Sequence, residues 1–376
     1  MKASPIDPRF IRNVLIKAAL LFVAANALFA AVNPLPALGQ LSAYNALFPG
    51  RPRFPFGETP EKAYNFSLFN LEAMFASHEL VGVRKLPDEY RVLLIGDSSV
   101  WGTLLKPDET LAGYLNAGGY TTRAGRRVRA FNLGYPTMSL TKDVMVLTRA
   151  QRYQPDLIVW LMTLESFPRN KQLSSPIVQQ NAATVRQLIA DYGLHLDPGD
   201  PNLAEPSFLE RTLVGQRRNL ADLLRLQLYG VPWAATGLDQ FYPDTYTPRA
   251  EDLEPELNYY DFQPPKFPGD ALAFEVLEAG LRAAGDAPVL LVNEPMFISH
   301  GQNSDIRYNF YYPKWAYDEW RRAWVEQARS NGWTYRDLWD SIAPGEFTNS
   351  AVHLTSLGSS QLAAQIGPMI VELAGQ

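Results

Sequence analysis

Five short runs, 92–95, 128–133, 157–162, 288–292 and a weaker 334–338, are largely apolar, with Arg129 interrupting the second. A strand with one wet face alternates apolar and polar residues, so runs without alternation read as strands covered on both faces. Helical patterns fall between them, at 109–116, 140–152 and 271–284. Strand alternating with helix is the pattern of a parallel sheet between helical layers. The expected fold is therefore α/β: a three-layer α/β/α sandwich with a parallel sheet of about five strands, of the flavodoxin-like kind. In such sheets ligands bind beyond the carboxyl ends of the strands.

Those ends carry the polar residues. The first run is followed by Gly96-Asp97-Ser98, the second closes on Asn132-Leu133-Gly134, and the third is followed by Thr163-Leu164-Glu165. Asn293-Glu294-Pro295 follows the fourth, and after the fifth comes FTNSAVHLTSLG, with His353. A parallel sheet brings all of these loops to one edge. A serine hydroxyl is a weak nucleophile until a base within reach takes its proton, and histidine is suited to that near neutral pH. The oxyanion of a tetrahedral intermediate needs preorganised donors, and glycine lets a backbone N–H approach closely. Ser98 is thus the candidate nucleophile, His353 its base, and the N–H groups of Ser98 and Gly134 the candidate oxyanion donors. Each residue also has a plainer role: Ser98 and Asp97 as a turn and cap, Gly134 as a tight turn, Asn293 and Glu294 as loop bridges or substrate contacts. His300 is a weaker rival base, and His78 and His195 lie outside the strand-end loops.

In these blocks the chain resembles the SGNH or GDSL hydrolases, named for Ser, Gly, Asn and His in four sequence blocks. Gly96-Asp97-Ser98 after an apolar strand, with Gly102, is similar to the first block. Asn132-Leu133-Gly134 is similar to the second, and His353-Leu354 followed by Gly358 and a helix over 360–373 to the fourth. The third block departs: where the family has Gly-x-Asn-Asp, this chain has Thr163-Leu164-Glu165-Ser166, so Glu165 stands at the position of the asparagine oxyanion donor. Ser350 stands where the family has an aspartate three residues before the histidine, and Asn349, one position earlier, is the residue left to orient His353. The resemblance implies a serine esterase or O-acyltransferase, without cofactor or metal, acting through a Ser98 acyl-enzyme on an acyl ester. Among relatives with a single N-terminal anchor it implies O-acyl transfer to cell-envelope glycans or lipids, with a membrane-bound acyltransferase as partner. The departures leave open a second class, a binding or assembly subunit that keeps the fold without full catalytic geometry.

The N-terminus sets the compartment. Lys2, Arg9, Arg12 and Lys17 precede an apolar stretch over 18–32 broken only by Asn26. A basic flank before an apolar stretch directs the remainder of the chain out of the cytoplasm, as a signal anchor or, with small residues at 27–31, a cleaved signal peptide. The expected division is 1–32 as anchor or signal peptide and 33–90 as a Pro- and Gly-rich extension packing on the body through Phe48, Phe54 and Phe56, with an aromatic-rich helix over 62–80. Residues 91–376 form the α/β domain, with an insertion at about 167–267 where the strand–helix alternation lapses. Within it, 208–230 is basic and amphipathic, a lid, a helical cover or a membrane-surface segment, and 242–268 is loop-like.

Composition narrows the function classes. A net charge of −5 gives no reason to expect nucleic acid, and the absence of cysteine excludes disulfides and thiolate nucleophiles. Four scattered histidines without a His-Glu-x-x-His pattern give no metal-ligand spacing, and no Gly-x-Gly-x-x-Gly follows the first strand.

Overall fold

The computed structural model describes residues 7–41, 43, 47, 50–56, 71–203, 205–236 and 245–375. Strands β1 (Glu89–Ile95), β2 (Arg127–Asn132), β3 (Leu157–Met162), β4 (Val289–Asn293) and β5 (Thr334–Asp337) form one parallel sheet in the order β2-β1-β3-β4-β5. Leu94 pairs with both Asn132 and Val159, and Asn293 with both Met162 and Asp337. The helices used below are α1 (Pro8–Val32), α2 (Leu71–Ala76), α3 (Ser98–Trp101), α4 (Leu111–Ala117), α5 (Leu140–Ala150), α6 (Ala182–Tyr192), α7 (Arg217–Thr236), α8 (Phe274–Ala283), α9 (Lys314–Asn331) and α10 (Ser356–Leu373).

The apolar runs are explained by burial on both faces. Leu93, Ile95, Ile158 and Trp160 face a layer built from α5, α8 and α9, where Val144, Leu277, Trp320 and Trp324 meet them. Their neighbours Val92, Leu94, Val159 and Leu161 face α4 and α10 through Leu111, Leu115, Leu362 and Ile366. Each such side chain contributes about 1.5–3 kcal/mol on burial, which is what fixes the register. Side-chain caps start the helices on either side: Ser139 Oγ accepts the Lys142 N–H at 3.3 Å, and Thr355 Oγ1 the Gly358 N–H at 3.0 Å. This is the three-layer architecture that the resemblance to the SGNH hydrolases implies. Strand order reverses between β1 and its neighbours β2 and β3, the place where open sheets of this kind form a crevice.

Two local expectations change. Of the helix expected over 62–80, the part from Leu71 onward is two short helices, α2 and Glu79–Gly82, separated at Ser77 and His78. His78 caps the start of the second, its Nδ1 accepting the Leu80 N–H at 3.1 Å, while its Nε2–H donates to Asn132 O at 2.9 Å. The rest of that expected helix, and Phe48, lie outside the described residues. Inside the expected insertion, α6 and α7 are regular helices, and 208–216 forms turns ahead of α7. Helix α1 is long and apolar enough to cross a membrane, and only 11% of its most apolar window is buried, so it is not a core helix of the α/β body.

Candidate active site

Ser98 is placed by the break of β1. Beyond Ile95 the chain turns, and Asp97 Oδ1 accepts the Ser99 N–H at 2.8 Å, capping α3 and making Ser98 its first residue. The Ser98 N–H, in the first turn, has no partner within that helix. The four-residue helix ends at Gly102, whose φ of 86° is the left-handed conformation glycine adopts readily, and whose N–H donates to Ser98 O at 3.0 Å. Arg53 Nη1 donates to Gly102 O at 2.8 Å and Trp101 O at 3.2 Å, with its guanidinium 4.1 Å from the centre of the Trp101 ring. The N-terminal extension therefore clamps the far end of the turn that carries Ser98.

His353 arrives from the loop before α10. Thr348 N–H donates to His353 O at 2.8 Å, closing that loop. The His353 Nε2 lies 2.8 Å from Ser98 Oγ, and Nδ1 lies 2.8 Å from Asn349 Oδ1. An amide oxygen only accepts, so Nδ1 carries the proton and Nε2 presents its lone pair to the Ser98 hydroxyl. Burial pushes the imidazole down from 6.5 to about 4, so it is neutral at physiological pH. Asn349 orients the ring but brings no charge to hold an imidazolium.

The remaining strand-end residues are committed elsewhere. Gly134, read as an oxyanion donor, gives its N–H to Asn132 Oδ1 at 3.0 Å. It is a close-packing glycine: a Cβ there would lie 2.4 Å from Trp101 N. Asn132 turns the other way as well, its Nδ2 donating to Val100 O at 2.7 Å, so it ties the β2 loop to α3. Glu165 takes Lys171 as an ion pair and accepts the hydroxyls of Tyr259 at 2.8 Å and Tyr260 at 2.6 Å, so its carboxylate pins the insertion to the end of β3. Asn293, read as a substrate contact, is fully buried: Nδ2 donates to Asp337 Oδ1 at 2.9 Å and Oδ1 accepts from Tyr317 at 3.0 Å. Its amide belongs to the packing of β4, β5 and α9. His300 and His195 are exposed and make no contact with Ser98.

Beside Ser98 lies a buried charged cluster, of which sequence reasoning missed Lys142 and Asp143. Lys142, in the first turn of α5, donates to Gly96 O at 2.6 Å and Tyr135 O at 3.2 Å and pairs with Asp143, which accepts from Trp160 Nε1 at 3.1 Å. Ser99 Oγ donates to Glu294, which also faces Asp97. One cation among three buried carboxyls leaves a surplus of negative charge that the interior does not tolerate. Burial, and then the Asp97 charge, raise the Glu294 carboxyl well above its usual range, so Glu294 holds the proton and shares it with Asp97. The cluster fixes both ends of the Gly96–Ser99 turn.

No protein-family model and no curated protein matches the chain. Among solved structures it is similar to an aryl esterase from M. smegmatis, with 11% identity over 75% of this chain and 99% of that one, at a TM-score of 0.34. It is similar also to a lipase/acylhydrolase from Enterococcus faecalis, with 16% identity over 75% and 96% and a TM-score of 0.35. A third is a carbohydrate acetylesterase family member from Sinorhizobium meliloti, with 11% identity over 75% and 99% and a TM-score of 0.32. At TM-scores below 0.5 these likenesses carry no information on what this chain does.

Proposed function

We propose that the chain is a serine esterase or O-acyltransferase that works through an acyl-enzyme on Ser98. The observation that carries the reading is the Ser98 Oγ–His353 Nε2 contact of 2.8 Å, with Nδ1 held by Asn349. Ser98 Oγ attacks the acyl carbonyl as His353 Nε2 takes its proton; the same proton then passes to the departing alcohol oxygen, leaving the acyl ester on Ser98. A second hydroxyl, from water or an acceptor alcohol, reverses the sequence with His353 again as base. The Ser98 N–H supplies the oxyanion donor. A cleft of about 360 Å³ lined by Tyr259, Tyr260, Phe310, Tyr311, Asp252 and Arg307 opens beside the Glu165 anchor. Aromatic faces with carboxylates suit a polyhydroxy acceptor such as a glycan better than a long acyl chain. With α1 as an anchor, the substrate would be an ester of an envelope glycan or lipid, and the acyl donor would come through a membrane-bound acyltransferase partner.

A second reading, a binding or assembly subunit, is favoured by the commitment of the Gly134 N–H and the Glu165 carboxylate to internal partners. Labelling with a fluorophosphonate probe separates the two. The enzyme reading expects labelling of the wild type, none of Ser98→Ala and strongly slowed labelling of His353→Ala. Absence of label from all three would favour the binding subunit, and label persisting in Ser98→Ala would remove Ser98 as nucleophile.

A further inference from the structure

The apolar surface of the insertion continues that of α1. Asn26 and Ala30, one turn apart, are the buried residues of α1, and together they mark the stripe that meets the body. There the Val214 N–H donates to Asn26 Oδ1 at 3.1 Å, while Asn26 Nδ2 donates to Phe22 O at 2.9 Å. Asn26 lies six residues before the end of the helix at Val32, so Val214 sits about 9 Å back along the helix axis. The uncharged part of α1, residues 18–32, is about 22 Å long, short of the ~30 Å of a bilayer's hydrocarbon core. A bilayer that covers α1 therefore reaches the level of Val214 and the residues beside it.

Those residues suit that depth. Leu209 and Leu228 are 76% and 72% exposed, and Phe208, Val214, Leu224 and Tyr229 are exposed with them. Helix α7 buries Leu223 and Leu226 against α2 and the Leu35–Gly39 turn, while its outer side presents Leu224, Leu228 and Tyr229. A helix that faced water would be polar there. Across 207–229 four arginines, Arg211, Arg217, Arg218 and Arg225, outweigh Glu210 and Asp222, on a chain whose net charge is −5. Gln227 ties α7 to the chain leaving α1, donating to Leu41 O at 3.0 Å and accepting the Ala43 N–H at 2.6 Å.

We propose that residues 207–229 form a foot embedded in the headgroup and upper acyl layer of an anionic bilayer, beside α1 in the same membrane. A single spanning helix leaves the body free to pivot; a second lipid contact fixes the orientation of the Ser98 edge to the membrane. The proposal rests on reading α1 as a retained anchor.

The chain contains no cysteine, so single cysteines can carry nitroxide labels on the full-length protein in phosphatidylcholine–phosphatidylglycerol vesicles. Labels are placed by Leu209→Cys and Leu228→Cys, with Leu21→Cys on α1 and Glu326→Cys on the exposed face of α9 as references. The foot predicts collision with oxygen severalfold favoured over a water-soluble nickel chelate at Leu209 and Leu228, as at Leu21 and unlike Glu326. Leu209 and Leu228 matching Glu326 while Leu21 is immersed would overturn the foot and leave the anchor standing. Leu21 matching Glu326 would overturn the anchor and the foot with it. Protection from both colliders at Leu209 and Leu228 would place a second copy or another protein there, and would equally overturn the proposal.

Discussion

At the scale of single residues, the Ser98–His353 pair differs from a full triad by one negative charge: Asn349 accepts from Nδ1 where a carboxylate would also stabilise the imidazolium. On the proposed mechanism, activity requires neutral His353 and is expected to be lost as pH falls through its pKa. Asn349→Asp is expected to raise that pKa, moving the acid limb of kcat/KM upward in pH and increasing kcat on a plateau ester. Asn349→Ala loses the orienting bond, about 1 kcal/mol, or a loss of roughly fivefold in kcat/KM. Glu294 gives a second residue-level test. A carboxyl whose folded pKa is raised binds more protons in the native state, so it lowers stability as pH rises above the ordinary glutamate range. Urea denaturation of Glu294→Gln should show that slope removed relative to wild type, with near-native stability at low pH. Glu294→Ala should lose about 2 kcal/mol or more by leaving a void and by taking from Ser99 Oγ its carboxyl partner. The meeting of Ser98 and His353 was legible because strand-end position and block order mark them. Lys142 and Asp143 were not, because charged residues in the first turn of a helix read as solvated until the fold buries them.

At the scale of elements, the site is a short helix held at both ends. Asp97 caps its start, Arg53 and Asn132 bind its last carbonyls, and Gly134 lets the β2 loop lie against its backbone. Gly134→Ala is expected to displace α3 and cost about 1–3 kcal/mol, read as a lowered urea midpoint together with reduced turnover, whereas loss of an oxyanion donor alone would spare stability. The strands were readable because burial on both faces leaves unbroken apolar runs. The insertion was not, because α7 carries apolar residues whose partners, Leu35, Leu38 and Ala73 among them, lie far away in the chain. Glu165 and Asn293 show the same limit. Both stand at the right strand ends, yet Tyr259 and Tyr260 claim one and Asp337 and Tyr317 the other, and no local pattern announces those partners.

At the scale of the whole molecule, Ser98 and His353 lie 255 positions apart in the chain, and the parallel sheet brings the loops that carry them to one edge. Helix α1 and the proposed foot then set where that pair sits relative to a membrane. Alkaline carbonate extraction should leave the full chain in the membrane fraction; release of a shorter chain beginning after residue 31 would indicate cleavage instead. The central claim, that Ser98 is activated by a half-buried, neutral His353 without an acidic partner, is tested most directly by the rate of fluorophosphonate modification of Ser98 as a function of pH, with the modified peptide identified by mass spectrometry. The structure predicts modification confined to Ser98, with a rate that holds through the ordinary histidine range and falls only towards pH 4. A fall centred near pH 6.5, or modification that does not involve Ser98, would contradict it.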